Sequence, residues 1–289
     1  MKQPVLTIYQ PEFWEEQWKS LNAVPTAFSG YGSKETWNSM ARDYGRNRDP
    51  EDFEDRIDAT LARLEKNGIV FENASVLDVG CGTGCYAAAF ARRGARVVAL
   101  DISEKMLGRL REETASDPSS RITPLIADWK TLDLEGSGYV KAFDLVFANM
   151  TPAVTNPASF RKLMRASKRW CWYRSWAGPR KNPLLERLHR AVNGKEPQPF
   201  SGNFICAWNL TCASGYFPDC SFETVRWTEK RQIDECIGFY SDYFSGGDGA
   251  KKAAITTKID ASLSGITIDG FIENTVTGHT GSMLWALNQ

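Results

Sequence analysis

An α/β fold, built on a doubly wound, mostly parallel sheet of seven strands with a final antiparallel strand, is predicted by three observations. In residues 75–107, SVLDVGCGTGCYAAAFARRGARVVALDISEKML, an apolar run (Val76, Leu77, Val79) meets Gly80, Gly82 and Gly84, and an apolar-faced segment, Tyr86 to Arg93, follows at once. That order reads as strand, tight turn and helix. A second apolar run, Val97 to Leu100, ends in Asp101 and completes a β-α-β unit, in which ligands sit beyond the carboxyl ends of the strands. Five further apolar or alternating runs follow, at 121–127, 143–148, 168–178, 221–229 and 283–287, with helical or turn-rich sequence between them.

The first 30 residues are rich in aromatics (Tyr9, Phe13, Trp14, Trp18, Phe28) and broken by Pro4, Pro11 and Pro25, so one short helix is expected at 11–21. SKETWNSMARDYGRNR, at 33–48, sets Trp37, Met40, Ala41 and Tyr44 at helical spacing behind a capping Ser33. A long amphipathic helix follows at 50–67, with Phe53, Ile57, Leu61 and Leu64 on one face and a stop at Asn67-Gly68.

At the glycine cluster, the missing Cβ atoms let backbone approach a ligand, and the helix start at Gly84 offers N–H groups to it. Asp101 at a strand end suits a ribose diol, because a carboxylate accepts from both hydroxyls. A dinucleotide fingerprint, G-x-G-x-x-G, would place its third glycine at position 85, which is Cys85. Asp78, before the first glycine, suits a cationic amino or sulfonium group, and S-adenosylmethionine carries both. Ser103 is placed to cap the next helix, 103–115.

D-V-G-C-G-T-G resembles motif I of the class I S-adenosylmethionine-dependent methyltransferases, and the likeness runs on through Asp101, IADW at 126–129 and FDLVFANM at 143–150. The resemblance implies S-adenosylmethionine contacts from Asp78, Gly80, Cys81, Gly82, Thr83, Gly84, Asp101, Ile102 and Met106. It also implies that Asp128 accepts from the adenine amino group, that Trp129 lies against the ring, and that Asn149 touches the cofactor at the end of the fourth strand. Many members carry a segment like 33–48 over the cofactor, which places Tyr44 and Arg46 at the methionine end; the other reading makes Trp37 and Tyr44 core. NMTPAV departs from the Asn/Asp-proline-proline-aromatic pattern of N-methyltransferases acting on amides or exocyclic amines.

Beyond that, Asp117-Pro118 marks a loop, and Asn156-Pro157 opens a helix with cap and proline in the favoured order. Arg161 to Arg190 holds ten Lys or Arg residues against one acid, Glu186, mixed with Trp170, Trp172, Tyr173 and Trp176. Such a mixture can bind RNA; equally, arginines on a solvated helix and aromatics alternating across a strand give the same pattern. Arg174, near a strand end, is a candidate for an acidic substrate. The stretch 178–203 carries four prolines and a short helix at 184–192, and is expected as an insertion over the pocket mouth. Phe204 to Phe217 is expected to supply the helix before the sixth strand. From 230 to 264 a helical segment pairs Phe239 with Tyr243 and Tyr240 with Phe244, either as core or as a cap over substrate.

Lys plus Arg equals Asp plus Glu, 35 each, so nothing global draws the chain to nucleic acid or anionic membrane. No apolar run is long enough to span a bilayer, the N-terminus lacks a signal-peptide pattern, and seven scattered cysteines without C-x-x-C suit reduced thiols in the cytoplasm. With only His189 and His279, a zinc site is not expected. The organisation predicted is one domain over 1–289: an N-terminal cover (1–49), a cofactor-binding half (50–176) and a substrate-side half (177–289) with insertions at 178–203 and 230–264. Its function is predicted to be methyl transfer to a small-molecule acceptor, with an RNA enzyme or a non-catalytic cofactor-binding module as alternatives. No catalytic base is assigned.

Overall fold

The computed structural model describes residues 7–22, 33–42, 44–45, 50–114, 121–196, 203–246 and 248–287. The strands are β1 (Ser75–Val79), β2 (Arg96–Asp101), β3 (Ile122–Ile126), β4 (Phe143–Asn149), β5 (Ser167–Trp176), β6 (Asp219–Gln232) and β7 (Phe271–Ala286), in the order β3-β2-β1-β4-β5-β7-β6. Pairs from β3 to β5 are parallel, and β7 runs antiparallel to both neighbours. The helices are α1 (Pro11–Asn22), α2 (Lys34–Met40), α3 (Pro50–Lys66), α4 (Cys85–Arg92), α5 (Glu104–Thr114), α6 (Pro157–Ala166), α7 (Pro183–Asn193), α8 (Asn203–Ala213), α9 (Ile233–Ser245) and α10 (Gly249–Leu263).

A parallel sheet must be covered on both faces, which is why β1 and β4 read as continuous apolar runs. One face carries α3, α4 and α5, and buries Leu61, Leu64, Phe90, Leu107 and Phe147. The other carries α6, α8 and α1, and buries Phe160, Leu163, Phe204, Leu210 and Trp18. Each such side chain contributes about 1.5–3 kcal/mol. α6 starts where expected: the Asn156 side chain accepts from Ser159 N while Ser159 Oγ accepts from Asn156 N.

Several boundaries differ from the sequence reading. The last strand covers Phe271–Ala286 rather than 283–287, and the sixth extends to Gln232, so 230–232 are strand and the helical segment begins at Ile233. The α2 helix closes at Met40 instead of running toward 48. Of the N-terminal segment, α1 lies on the α6/α8 face, with Trp18 fully buried and its Nε1 donating to Asn203 Oδ1 at 2.7 Å. Among the described residues of that segment, Tyr44 reaches the glycine loop and α2 reaches Ser103. Arg46, Phe28, the Asp117-Pro118 loop and Pro4, Pro25, Pro197 and Pro199 fall outside the described residues.

The extra length of β6 and β7 makes a ribbon. They pair from Asp219↔Leu284 to Gln232↔Phe271, whereas β5 accompanies β7 only as far as Trp176↔Thr280. Residues 224–232 and 271–279 therefore project past the carboxyl end of β5. An isolated two-stranded ribbon is marginal in water. Here α7, α9 and α10 pack on it in a third core, which includes Leu185, Leu188, Tyr240, Ile259, Leu263 and Ile272. Asn182 and Asn274 close that core's polar edge: Asn274 Nδ2 donates to Asn182 Oδ1, and each carbonyl also takes a backbone N–H of α7. Among the described residues, no helix is long and apolar enough to cross a membrane.

Candidate active site at the glycine loop

The turn after β1 is held from below. Gly80 N and Cys81 N both donate to Leu100 O, at 2.7 and 3.0 Å, which fixes the loop to the end of β2. Gly80, Gly82 and Gly84 all have positive φ (70°, 58° and 82°). Two of these glycines also answer to packing, since a Cβ on Gly80 would fall 1.9 Å from Thr151 Oγ1 and one on Gly84 2.1 Å from Leu110 Cδ1. Gly82 differs: its nearest neighbour in that direction is Tyr44 Cε1 at 3.8 Å, so its open side faces space roofed by the Tyr44 ring.

Asp101 ends β2 and is 8% exposed. Its Oδ2 accepts from Gly82 N at 2.9 Å and its Oδ1 from Ser103 N at 2.8 Å. Burial raises its pKa, and the Ser103, Gly82 and Ile102 amides offset part of that rise. Each oxygen keeps a second lone pair for a ligand hydroxyl.

Asp78 lies beneath the loop, 3% exposed, and its Oδ2 has no hydrogen-bond partner among the described residues. Burial, and then the Asp101 charge, push its pKa up to about 8. An orphaned buried carboxylate oxygen is costly unless a donor or cation arrives to meet it. Burial, and then the same two acids, raise the pKa of the Cys81 thiol well above its ordinary value, so it stays protonated.

The cover is tied down at two points. Ser103 Oγ accepts from Met106 N, capping α5, and donates to Asn38 Oδ1 of α2 at 2.7 Å. Arg109 Nη1 donates to the carbonyls of Ala41 and Tyr44, both at 2.8 Å. The Tyr44 ring meets Trp37 edge-on at 5.9 Å. Tyr44 thus both packs and roofs the loop.

The other sequence candidates divide. Asp78, Gly80, Cys81, Gly82, Thr83, Gly84, Asp101 and half-buried Ile102 cluster at the loop and the end of β2. Asp128 follows β3, with Oδ1 accepting from Lys130 N as a turn cap and the side chain half-exposed. Asn149 ends β4, its Oδ1 accepting from Trp172 Nε1 at 3.2 Å. One expectation needs correcting. Trp129 is 1% exposed, its Nε1 donates to Ser159 O, and Lys162 Nζ stands 5.1 Å over its ring, so it is core and has no face for adenine. Met106, in the first turn of α5, is 1% exposed. Asn38 and Tyr86 were not singled out from the sequence. The signal for Asn38 was a polar residue inside an aromatic-faced helix, and for Tyr86 its place in the first turn after the glycines. A groove of about 500 Å³ between the 130–135 turns and α6 contains none of the loop residues.

Residues 76–171 match the family described as methyltransferase domain. The match covers about a third of the chain and takes in the glycine loop and the strands β2 to β4. Among curated proteins, 80 residues are 34% identical to the biotin biosynthesis bifunctional protein of Cellvibrio japonicus, over 27% of this chain and 14% of that protein. A stretch of 91 residues is 31% identical to a probable ribosomal RNA small subunit methyltransferase A of Methanospirillum hungatei, over 30% of this chain and 32% of that protein. The chain thus spans a third or less of either relative. The crystal structure of magnesium protoporphyrin IX methyltransferase from Synechocystis with bound S-adenosylmethionine is similar at 19% identity and a TM-score of 0.43, covering 60% of this chain and 72% of that one.

Proposed function

We propose that this chain is an enzyme that transfers the methyl group of S-adenosylmethionine to a small-molecule acceptor. The observation that carries the reading is the buried, unpartnered Asp78 Oδ2, two residues before a glycine loop in which Gly82 opens onto space. A cationic amino-acid end placed there would ionise Asp78 and satisfy it. Asp101 would take the ribose hydroxyls, Asp128 the adenine amino group, and Tyr44 would close over the methionine end.

The bound cofactor supplies an electrophilic methyl on sulfur, open to in-line displacement by a nucleophile. The chain's part is to orient the acceptor and exclude water, for which the α2 cover and the ribbon with α9 are placed, since α2 packs on both α5 and α9. Neither histidine is assigned as a base: His279 Nδ1 lies 3.2 Å from Thr224 Oγ1, and His189 Nδ1 lies 3.2 Å from Lys195 O.

A small acceptor is favoured over RNA by the state of the basic stretch. Arg161 pairs with Glu15, Arg165 with Glu135, Lys168 with Asp144 and Arg190 with Glu196. Lys162 turns inward to the carbonyls of Trp129 and Leu132. Calorimetry should find S-adenosylmethionine and S-adenosylhomocysteine binding with NAD much weaker, and RNA binding weak at low salt. NAD binding as tight as either, or tight RNA binding that falls steeply with salt, would reject this function.

A further inference from the structure

The acceptor side holds a buried guanidinium that cofactor binding leaves unused. Arg174 stands beside Asn149 in the β4/β5 register, at the carboxyl end of the sheet, with only 8% of its side chain exposed. Its Nη2 donates to Glu223 Oε2 at 2.7 Å and to Thr280 Oγ1 at 3.1 Å. Its Nε is buried and has no acceptor among the described residues. The ion pair is lopsided: the Glu223 side chain is 48% exposed, whereas that of Arg174 is 8% exposed. An unfilled N–H on a buried charged group is a standing penalty.

Two further observations point to a ligand. Burial raises the pKa of the Tyr86 hydroxyl, in the first turn of α4; the Thr60 hydroxyl and then Arg174 offset part of that rise, while Asp78 and Glu223 add to it, so Arg174, Asp78 and Glu223 all act on a group next to the glycine loop. Two residues beyond Arg174 on the same sheet face comes Trp176, whose ring lies 6.1 Å from that of Trp227 on the ribbon. The wall leading away from Arg174 is therefore aromatic, with the Arg180 guanidinium 5.0 and 5.3 Å from the two ring centroids.

We propose that Arg174 Nε anchors a carboxylate carried by the methyl acceptor, an organic acid whose apolar or aromatic body lies along the Trp176–Trp227 wall. The proposal rests on the methyltransferase reading of the glycine loop. A guanidinium N–H to a carboxylate is a charge-assisted bond, roughly twice as strong as a neutral one. One unfilled N–H suits one carboxylate. A phosphate dianion would meet the like charge of Glu223 and of an ionised Asp78.

The test is calorimetry on the protein saturated with S-adenosylhomocysteine, titrated with matched pairs: benzoate and benzamide, phenylacetate and phenylacetamide, hexanoate and hexanamide, with phenyl phosphate as the dianionic arm. At least one acid should bind roughly 10- to 100-fold more tightly than its amide, the range for hydrogen bonds to a charged group. Arg174→Gln should abolish that preference, and Glu223→Gln should strengthen acid binding, with S-adenosylhomocysteine affinity unchanged in both. Should Arg174→Gln fail to fold, Glu223→Gln carries the test, because a merely structural pair would lose stability without gaining acid affinity. Equal binding of acids and amides at millimolar concentration, an unchanged preference in the variants, or phenyl phosphate binding more tightly than every acid overturns the proposal. Failure of S-adenosylhomocysteine to bind the wild-type protein shows in the first titration, and counts against the methyltransferase reading instead.

Discussion

Asn38 Oδ1 accepts a hydrogen bond from Ser103 Oγ at 2.7 Å, while the same Ser103 oxygen accepts from Met106 N at 3.1 Å. One hydroxyl therefore caps α5 and holds α2 against the end of β2. Asn38→Ala should cost about 1 kcal/mol of stability, the worth of one such bond. Cofactor affinity should fall alongside, and limited proteolysis should cut the N-terminal 49 residues faster than in the wild type. Unchanged proteolysis with unchanged affinity would show that the cover does not depend on this tie.

Under the proposed function, Asp101→Ala removes the acceptor for the ribose hydroxyls. Cofactor binding should weaken by on the order of 2 to 3 kcal/mol, while circular dichroism stays native. Asp133→Ala serves as the control, because that side chain caps a turn at Glu135 N away from the loop and should leave affinity unchanged.

Gly80 and Gly82 separate folding from binding. At Gly80 an alanine methyl meets Thr151, whose Oγ1 is held by Ala153 N at 3.1 Å and cannot swing aside. Gly80→Ala should therefore lower the melting temperature well beyond the about 1–2 kcal/mol of a left-handed alanine. In Gly82→Ala the methyl enters open space, so stability should fall by little more than that backbone cost. Its cofactor affinity should drop much further, and scanning calorimetry with and without S-adenosylhomocysteine separates the two effects.

The raised pKa of Asp78, about 8 in the folded chain, exceeds the about 3.9 of an unfolded aspartate. The folded state holds a proton that the unfolded state has released. That contribution to stability is complete below about pH 4 and is lost as pH rises through about 8. The melting temperature of the ligand-free protein should decline across this window, and Asp78→Asn should flatten the decline. Asp101, shifted in the same direction, leaves a residual slope in that variant. Binding of the cationic cofactor near neutral pH should release a proton in the wild type and none from this site in Asp78→Asn, as measured by titration in buffers of different ionisation enthalpy.

The strand, glycine turn and helix around the candidate site were legible in the sequence because they are local. Asp78, the glycines, Asp101 and Ser103 lie within 26 residues, and each needs its residue type for a backbone reason that spacing displays. Trp129 was misread because exposure is a tertiary property: nothing adjacent to it reveals that α6 supplies Ser159 O and Lys162 to bury it. The ribbon was underestimated for a similar cause. Residues 271–282 contain Asn274, Gly278 and Gly281 and little alternation, and they become strand through pairing with β6 and support from α7, α9 and α10. Gly281 is required there because a Cβ would fall 2.3 Å from the Phe204 ring, a contact between segments 77 residues apart.

The ribbon's two chains begin on one rung, Thr224 opposite His279, and the α7 segment leaves the sheet at the same level, where Ala177 N donates to His279 O at 2.8 Å. Residues 224–279 thus enter and leave the sheet at adjacent points. In genetic terms they form a cassette: one uninterrupted stretch of coding sequence specifies the ribbon with α9 and α10, and its ends are already close enough for a tight turn to replace it. Recombination at these borders would exchange that whole superstructure while leaving the β1–β4 scaffold and its glycine loop untouched.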